Sequence, residues 1–420
     1  MFSVIGEVLE LTILISFQVL KATWWIILPV VIFLKIQPLW LFKKRVQYAT
    51  SLDWVLLEIG LPRDVIKTPK AMENVLAGLH GVWSPINTRA KWLKGEFVDQ
   101  FSLELAGTNG EMHFYIRCLK KQRNFVESKV FSQYPDSEIQ EVEDYTENLP
   151  HDIPGRDYDL WGADYVLNRS WVYPTQTYID FEDIEEERRM DPMSQFAELV
   201  SKLEEGEHVW MQTTISPVLT EIAGYAQKER DKLIGRRAPE SSSLAGELVS
   251  VITDAINFLL WGTEPPPKGA AGTAPEASMM RLTPGEQDMI KRVEIKSAKL
   301  AYATTIRAMY IARNDVWRSE HIAGINGYFR QFTASNSFRP AMGTFPSSMI
   351  MFFKKQRNYA IKKKLFNAYK ARMFGVLSAP YILSTEEIAT IYHFPGRLVR
   401  APFMPRVPIR TSEPPRGLPT

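Results

Sequence analysis

Residues 101–119 read FSLELAGTNGEMHFYIRCL, and this stretch decides the fold. Phe101, Leu103 and Leu105 alternate with Ser102 and Glu104, while Met112, Phe114 and Ile116 alternate with His113, Tyr115 and Arg117. A period of two places one set of side chains on each face of an extended chain. Thr108-Asn109-Gly110 lies between the two runs, and Asn-Gly supplies the positive φ angles that a tight hairpin turn requires. The stretch therefore predicts a β-hairpin with one apolar face.

Working outward, Val55, Leu57 and Ile59 alternate with Leu56 and Glu58, as in a strand with one strongly buried face. A helix follows: Thr68 is placed to cap it, Pro69 takes its first position, and Met72, Val75, Leu76 and Leu79 recur at helical spacing before Gly81. After the hairpin, Phe125, Val126 and Val130 mark a second helix that ends before Pro135, and Ile139 and Val142 mark a closing strand. The order β-α-β-β-α-β is the ferredoxin-like arrangement.

The same order recurs downstream. Tyr178–Phe181 reads as a strand, Asp191-Pro192 opens a helix carrying Phe196, Leu199, Val200 and Leu203, and Val209–Ile215 and Leu300–Ile311 read as strands before a helix over Trp317–Phe329. Between the two long strands lies an insertion, with helices around Leu219–Lys232 and Leu244–Leu260 and a Pro/Gly/Ala loop over 265–278. The expected fold class is α+β: an amino-terminal transmembrane helix, two ferredoxin-like units, the second with a helical insertion, then a basic helical and proline-rich end. The expected divisions are 1–45, 46–150, 151–346 and 347–420.

The amino terminus reads as a membrane anchor. Leu11–Leu34 is about 24 residues long and mostly apolar, close to the roughly 20 that cross a bilayer core. Trp24, Trp25 and Trp40 suit the interfaces. Lys21 interrupts the run; with Thr23–Leu34 alone as the apolar core, the segment would lie in the interface or serve as a signal sequence. Glu7 and Glu10 precede the span and Lys43, Lys44 and Arg45 follow it, so the expected orientation is amino terminus outside, with the bulk of a single-pass chain cytoplasmic.

The remaining composition excludes several classes. The chain is 45% hydrophobic and 23% charged with a net charge of +2, which suits a core-forming body and argues against general nucleic-acid binding. One cysteine, Cys118, excludes an internal disulfide and a multi-cysteine metal site. No G-x-x-x-x-G-K-[ST], H-E-x-x-H, G-x-S-x-G or G-x-G-x-x-G occurs. His80 reads as a helix-end residue and His113 as an outward strand residue. The acidic run Glu182–Glu187 leads into Arg188 and Arg189, as a solvated, self-paired face does. The chain is expected to be non-catalytic and to carry no cofactor.

Two carboxy-terminal segments are candidates for binding. Lys354–Lys364 reads KKQRNYAIKKK, and Lys354, Lys355, Arg357, Tyr359, Lys362, Lys363, Lys364, Tyr369 and Arg372 interleave cations with aromatic rings. That mixture suits single-stranded nucleic acid, an anionic membrane surface, or a basic helix whose rings pack on the body. Further on, Ser384 and Glu387 form a capping box. The short helix they start presents Ile388, Ile391 and Phe394 for docking, on this body or on a partner, ahead of an extended tail punctuated by prolines from Pro402.

Lys67-Thr68-Pro69 with Ala71-Met72-Glu73 and Leu79-His80-Gly81, Tyr134-Pro135-Asp136 with Glu138-Ile139 and Asp144-Tyr145, and Ser384-Thr385-Glu386-Glu387-Ile388-Ala389 with His393-Phe394-Pro395 carry a resemblance over nearly the whole chain. They resemble the membrane-anchored amino-terminal region, of unknown function, associated with bacterial type IV secretion and conjugation-type ATPases of the FtsK/HerA class. The resemblance implies an accessory protein that tethers or organises a DNA- or protein-translocating ATPase. In fused relatives a P-loop ATPase follows a proline-rich segment like Glu413–Pro419; here the chain stops there, as a separate subunit or the front part of a split gene would. The implied partners are membrane lipid, such an ATPase or other secretion subunits, and a second copy of the chain. The runner-up is a membrane-held nucleic-acid-binding protein using residues 354–372.

Overall fold

The computed structural model describes residues 36–61, 67–181, 191–219, 283–344, 352–374 and 378–396, with scattered positions between 18 and 33 and residue 224. Most of the Leu11–Leu34 anchor, the acidic run 182–187, the insertion helices, the loop 265–278, Met349–Met351 and the proline-rich tail lie outside the described residues. The chain divides into two compact units, one of residues 1–54 and 84–99, the other of 55–83 and 100–420.

In the smaller unit a helix, α1, runs over residues 36–50, and the described positions before it are also helical. Trp25 is 62% exposed, and Trp24, Phe33, Leu39, Trp40 and Phe42 are exposed as well. Among the described residues no helix is long and apolar enough to cross a membrane. Tyr48 meets Phe97 edge-on at 5.4 Å.

The larger unit contains α2 (Pro69–Leu79), α4 (Arg123–Gln133), α5 (Tyr178–Phe181), α6 (Met193–Ser201), α7 (Pro284–Ser297), α8 (Glu320–Arg330), α9 (Lys354–Lys370) and α10 (Thr385–Ile391), while α3 (Thr88–Leu93) lies in the smaller one. The strands are β1 (Trp54–Gly60), β2 (Phe101–Thr108), β3 (Glu111–Leu119), β4 (Glu138–Val142), β5 (Tyr158–Leu167), β6 (Glu207–Val218), β7 (Ala301–Arg313), β8 (Phe338–Pro340) and β9 (Tyr381–Ser384). They form one sheet in the order β4-β1-β3-β2-β6-β7-β5-β8, with β9 also paired to β7. The chain order β1-α2-β2-β3-α4-β4 thus yields β4-β1-β3-β2, and β5-α6-β6-β7-α8-β8 yields the same order read from the other edge. The two halves join at β2 and β6, antiparallel, with Leu105 opposite Met211.

The hairpin is as its sequence predicts. β2 and β3 pair antiparallel with Thr108 opposite Glu111, and Asn109 (φ 52°) and Gly110 (φ 83°) occupy the turn in the left-handed region. The second half differs from expectation at its start. Tyr178–Phe181 is a helical turn, closed by Asp180, which accepts from the Thr177 amide at 3.1 Å and donates its own amide to the Thr177 carbonyl at 2.9 Å. The strand that opens this half is β5, whose Asp159, Gly162 and Asp164 break the apolar pattern a sequence window needs. Thr68 sits at the N-cap of α2 in extended conformation with Pro69 following, but its hydroxyl makes no capping bond.

Both faces of the sheet are covered. On one, Leu57, Leu105, Phe114, Met211, Ile306 and Tyr310 pack with α2, α4, α6, α8 and α10 in the main core. On the other, Leu56, Ala106, Tyr115, Leu160, Trp210 and Met309 lie under Leu365, Phe366 and Tyr369 of α9. Burying each of Leu365 and Phe366 contributes about 1.5–3 kcal/mol of transfer free energy.

Candidate functional site

The basic helix α9 carries seven cations in 17 residues and no acidic one. Its two ends do different things. Toward the carboxy terminus Leu365, Phe366, Ala368 and Tyr369 are buried against the second face of the sheet. Lys362 Nζ lies 2.7 and 2.8 Å from the two Asp159 oxygens, and Lys370 Nζ lies 3.1 Å from Glu147. Lys354, Lys355, Tyr359, Lys363 and Lys364 are exposed, and Arg357 is partly buried.

Tyr369 and Arg372, expected on the same binding surface, are instead interior. Tyr369 places its ring 5.5 Å from Trp210 and its hydroxyl 2.8 Å from that of Tyr145. Arg372, held at φ 50°, donates Nε to Glu104 Oε1 at 2.9 Å and Nη2 to Glu104 Oε2 at 3.0 Å, and also pairs with Asp144. The physical reason is a carboxylate on the covered face of β2. A buried arginine is stable where its fork meets acceptors on several sides.

Glu104 is the centre of this cluster. It also accepts from Ser102 Oγ (2.6 Å), Tyr145 Oη (2.7 Å) and Gln212 Nε2 (3.2 Å). Burial alone would raise its pKa; the Arg372 charge and the hydrogen bonds outweigh that and hold it below the ordinary carboxylate value. Asp144 follows the same balance, with burial opposed by Arg372 and Thr146. Burial, with the Glu104 charge, pushes the Tyr145 and Tyr369 phenols well up. Sequence reasoning missed Glu104, because a charged residue at a strand's alternate position ordinarily marks a solvated face.

The carboxy-terminal helix α10 starts at the expected capping box: Ser384 Oγ accepts from the Glu387 amide, and Glu387 accepts from the Ser384 amide at 2.9 Å. Ile388, Ile391 and Phe394 are all buried in this chain's own core, with Phe394 edge-on to Phe114 at 5.2 Å and to Tyr134 at 4.7 Å. Next to them His393 Nδ1 lies 2.9 Å from the Ala389 carbonyl and Nε2 2.9 Å from Asp191 Oδ1. Both ring nitrogens are thus within hydrogen-bond reach of an oxygen. Burial would raise the Asp191 carboxyl, but the His393 charge and hydrogen bond, with the amides of Gly396 and Met193, bring it below its usual value.

A cavity of about 220 Å³ opens between the segment 174–180, α7 and the start of α10. Most of its charges are paired. Lys296 Nζ lies 2.9 Å from Glu387, Lys299 pairs with Glu73 (3.2 Å) and Glu386, and Arg292 pairs with Asp180 (3.0 Å) and Asp288 (2.8 Å). Burial pulls the Lys296 pKa down while Glu387 pushes back, with a net lowering. Glu387 further accepts from the Thr175 amide at 3.0 Å, so the cavity wall ties three segments together.

The remaining candidates are placed in structural roles. His80 Nε2 lies 3.2 Å from the Val218 carbonyl and its ring is edge-on to Tyr302; His113 Nδ1 lies 2.7 Å from Glu58. Cys118 is buried, and burial pushes its thiol up to about 12, away from thiolate chemistry. Among the described residues no group of three or more His, Cys, Asp or Glu side chains is placed to hold a metal ion. Lys43 and Arg45 are exposed on α1, and Lys44 lies over the Trp40 ring at 5.1 Å. Compared with known families and curated proteins, the sequence matches no family model and no curated protein.

Proposed function

We propose that this chain is a non-catalytic, membrane-anchored accessory protein that tethers or organises a DNA- or protein-translocating ATPase, with an α+β body made of two ferredoxin-like units joined edge to edge. The observation that carries the membrane part is the set of exposed apolar side chains Trp24, Trp25, Phe33, Leu39, Trp40 and Phe42, followed by Lys43, Lys44 and Arg45. Large apolar side chains so concentrated on a surface mark a membrane or protein contact. The repeated strand order of the two halves supports the ferredoxin-like reading.

The non-catalytic part is supported by what the motif residues do. Glu73 accepts from Tyr178 Oη at 2.6 Å, Tyr134 packs on Phe394, Asp144 holds Arg372, Glu387 caps α10 and His393 pairs with Asp191. These five of the residues that carry the resemblance are joints of the fold, as they would be in a scaffold.

Photocrosslinking from the body of the full-length chain in native membranes, followed by identification of the captured protein, checks the reading. A P-loop translocating ATPase is the expected partner. ATP turnover by the purified chain, abolished by one substitution within it, would overturn the non-catalytic reading.

A further inference from the structure

We infer that the overhanging amino-terminal end of α9, with Phe352 and Phe353, is a contact surface for an anionic lipid bilayer. The surface lies on residues of the larger unit, and the anchor segment belongs to the smaller one.

Phe352 is 77% exposed and Phe353 73%, side by side at the helix start. Phe353 occupies the left-handed region at φ 57°, ψ 33°, unusual for an aromatic residue, so the two rings are presented outward at a backbone cost. Immediately behind them come Lys354 and Lys355, and Lys355, Tyr359 and Lys363 form an i, i+4, i+8 stripe. Tyr359 is 47% exposed, with Lys363 Nζ 5.9 Å from its ring centre.

Four lysines of this end share a positive charge. No acidic side chain among the described residues pairs with Lys354, Lys355, Lys363 or Lys364, whereas Lys362 and Lys370 on the packed side each have one. The first turn has no acidic residue and no side-chain cap, so its lysines sit at the positive end of the helix dipole. Two adjacent apolar rings with a collar of cations match the boundary between acyl chains and anionic headgroups, where the rings leave water and the lysines meet phosphate. Single-stranded nucleic acid fits less well: base stacking uses rings spaced along a groove, and Tyr369 and Arg372, which would extend such a groove, are interior.

The test uses the full chain reconstituted with phosphatidylcholine vesicles, with and without phosphatidylglycerol, and an environment-sensitive dye on Gln356→Cys, an exposed position. Buried Cys118 escapes labelling. A spin-labelled lipid should quench the dye several-fold more strongly in anionic vesicles, reversibly with salt. Phe352→Ser/Phe353→Ser and Lys354→Glu/Lys355→Glu should each remove that difference, and since all four side chains are exposed the melting temperature should hold. Retention of the chain by both vesicle types reports the anchor separately. Equal quenching in the two vesicle types, or none in either, overturns the proposal. So does salt-sensitive binding of a single-stranded oligonucleotide that the lysine changes abolish and that displaces the dye from anionic vesicles.

Discussion

Arg372 and Glu104, 268 residues apart in the chain, meet through two hydrogen bonds of 2.9 and 3.0 Å beneath α9, with both side chains buried. This pair fixes the end of the basic helix to the central strand β2. Removing one partner leaves the other charge without compensation, so Arg372→Met should cost about 3–5 kcal/mol of stability. Glu104→Leu/Arg372→Met together should cost less than the sum of the single changes, because no unpaired charge then remains at Glu104. Thermal melting of the full-length chain measures both, and additive losses would show that the pair is not coupled.

The same cluster sets a pH dependence. Glu104 and Asp144 have folded pKa values below their unfolded ones, so their contribution is complete above about pH 4 and is lost as pH falls through the lowered folded values. His208 acts in a higher window. Its burial outweighs the neighbouring Glu207 charge and lowers it to about 4, from an unfolded value of about 6.5. Between those values the unfolded chain binds a proton that the folded chain refuses, so stability should fall with pH by up to about 1.4 kcal/mol per unit. His208→Gln should flatten the limb between about pH 6.5 and 4 in a melting-temperature profile and leave the more acidic limb in place.

Gly162 permits the close approach of α9 to β5. A Cβ there would fall 2.5 Å from Leu365 Cδ2 and 3.0 Å from Met309 Cγ. Gly162→Ala should therefore destabilise by about 1–3 kcal/mol through overpacking. Combined with Leu365→Ala, which vacates the contested space, it should cost clearly less than the two single losses added. Chemical denaturation of the four forms reads the coupling, and its absence would remove Leu365 as the constraint.

How far the sequence revealed this arrangement follows from where each signal sits. The β2–β3 turn is written in two adjacent residues, Asn109-Gly110, and the α10 start in Ser384 and Glu387, three apart; both were legible. The cover over the second sheet face was not. Ser102 and Glu104 alternate with Phe101, Leu103 and Leu105 as solvent-facing residues do, and the partners that make the burial of Glu104 stable, Arg372, Tyr145 and Gln212, lie far along the chain. β5 was missed for a related reason. Asp164 is buried against Arg307 at 2.7 Å and Gly162 makes room for Leu365, so the residues that broke the strand pattern are those with distant partners.

The packing of α10 in the chain's own core sets the outcome for its apolar side. Ile391 and Phe394 are buried, the latter between Phe114 and Tyr134. Ile391→Ser and Phe394→Ser should each destabilise the chain by about 2–5 kcal/mol, through lost burial and a cavity. Glu387→Ala should be more damaging than Lys296→Met, because Glu387 also closes the capping box and accepts from Thr175. Melting curves rank the variants, and unchanged stability of Phe394→Ser would exclude internal docking.

The proposed orientation of the proposed anchor rests on Lys43, Lys44 and Arg45. Positive residues flanking a span are retained on the cytoplasmic side, and three together following a segment preceded by Glu7 and Glu10 give a clear bias. Lys43 and Arg45 are exposed, so replacing them disturbs little packing, while Lys44 loses its contact over Trp40. In intact cells, protease added outside should spare the body of the natural chain. Changing all three residues to Glu should yield a mixed population in which a fraction of the body becomes accessible, with its melting temperature unchanged. Digestion of the natural chain from outside would reverse the orientation, and release of the chain from membranes by alkaline carbonate would replace the spanning anchor with an interfacial one.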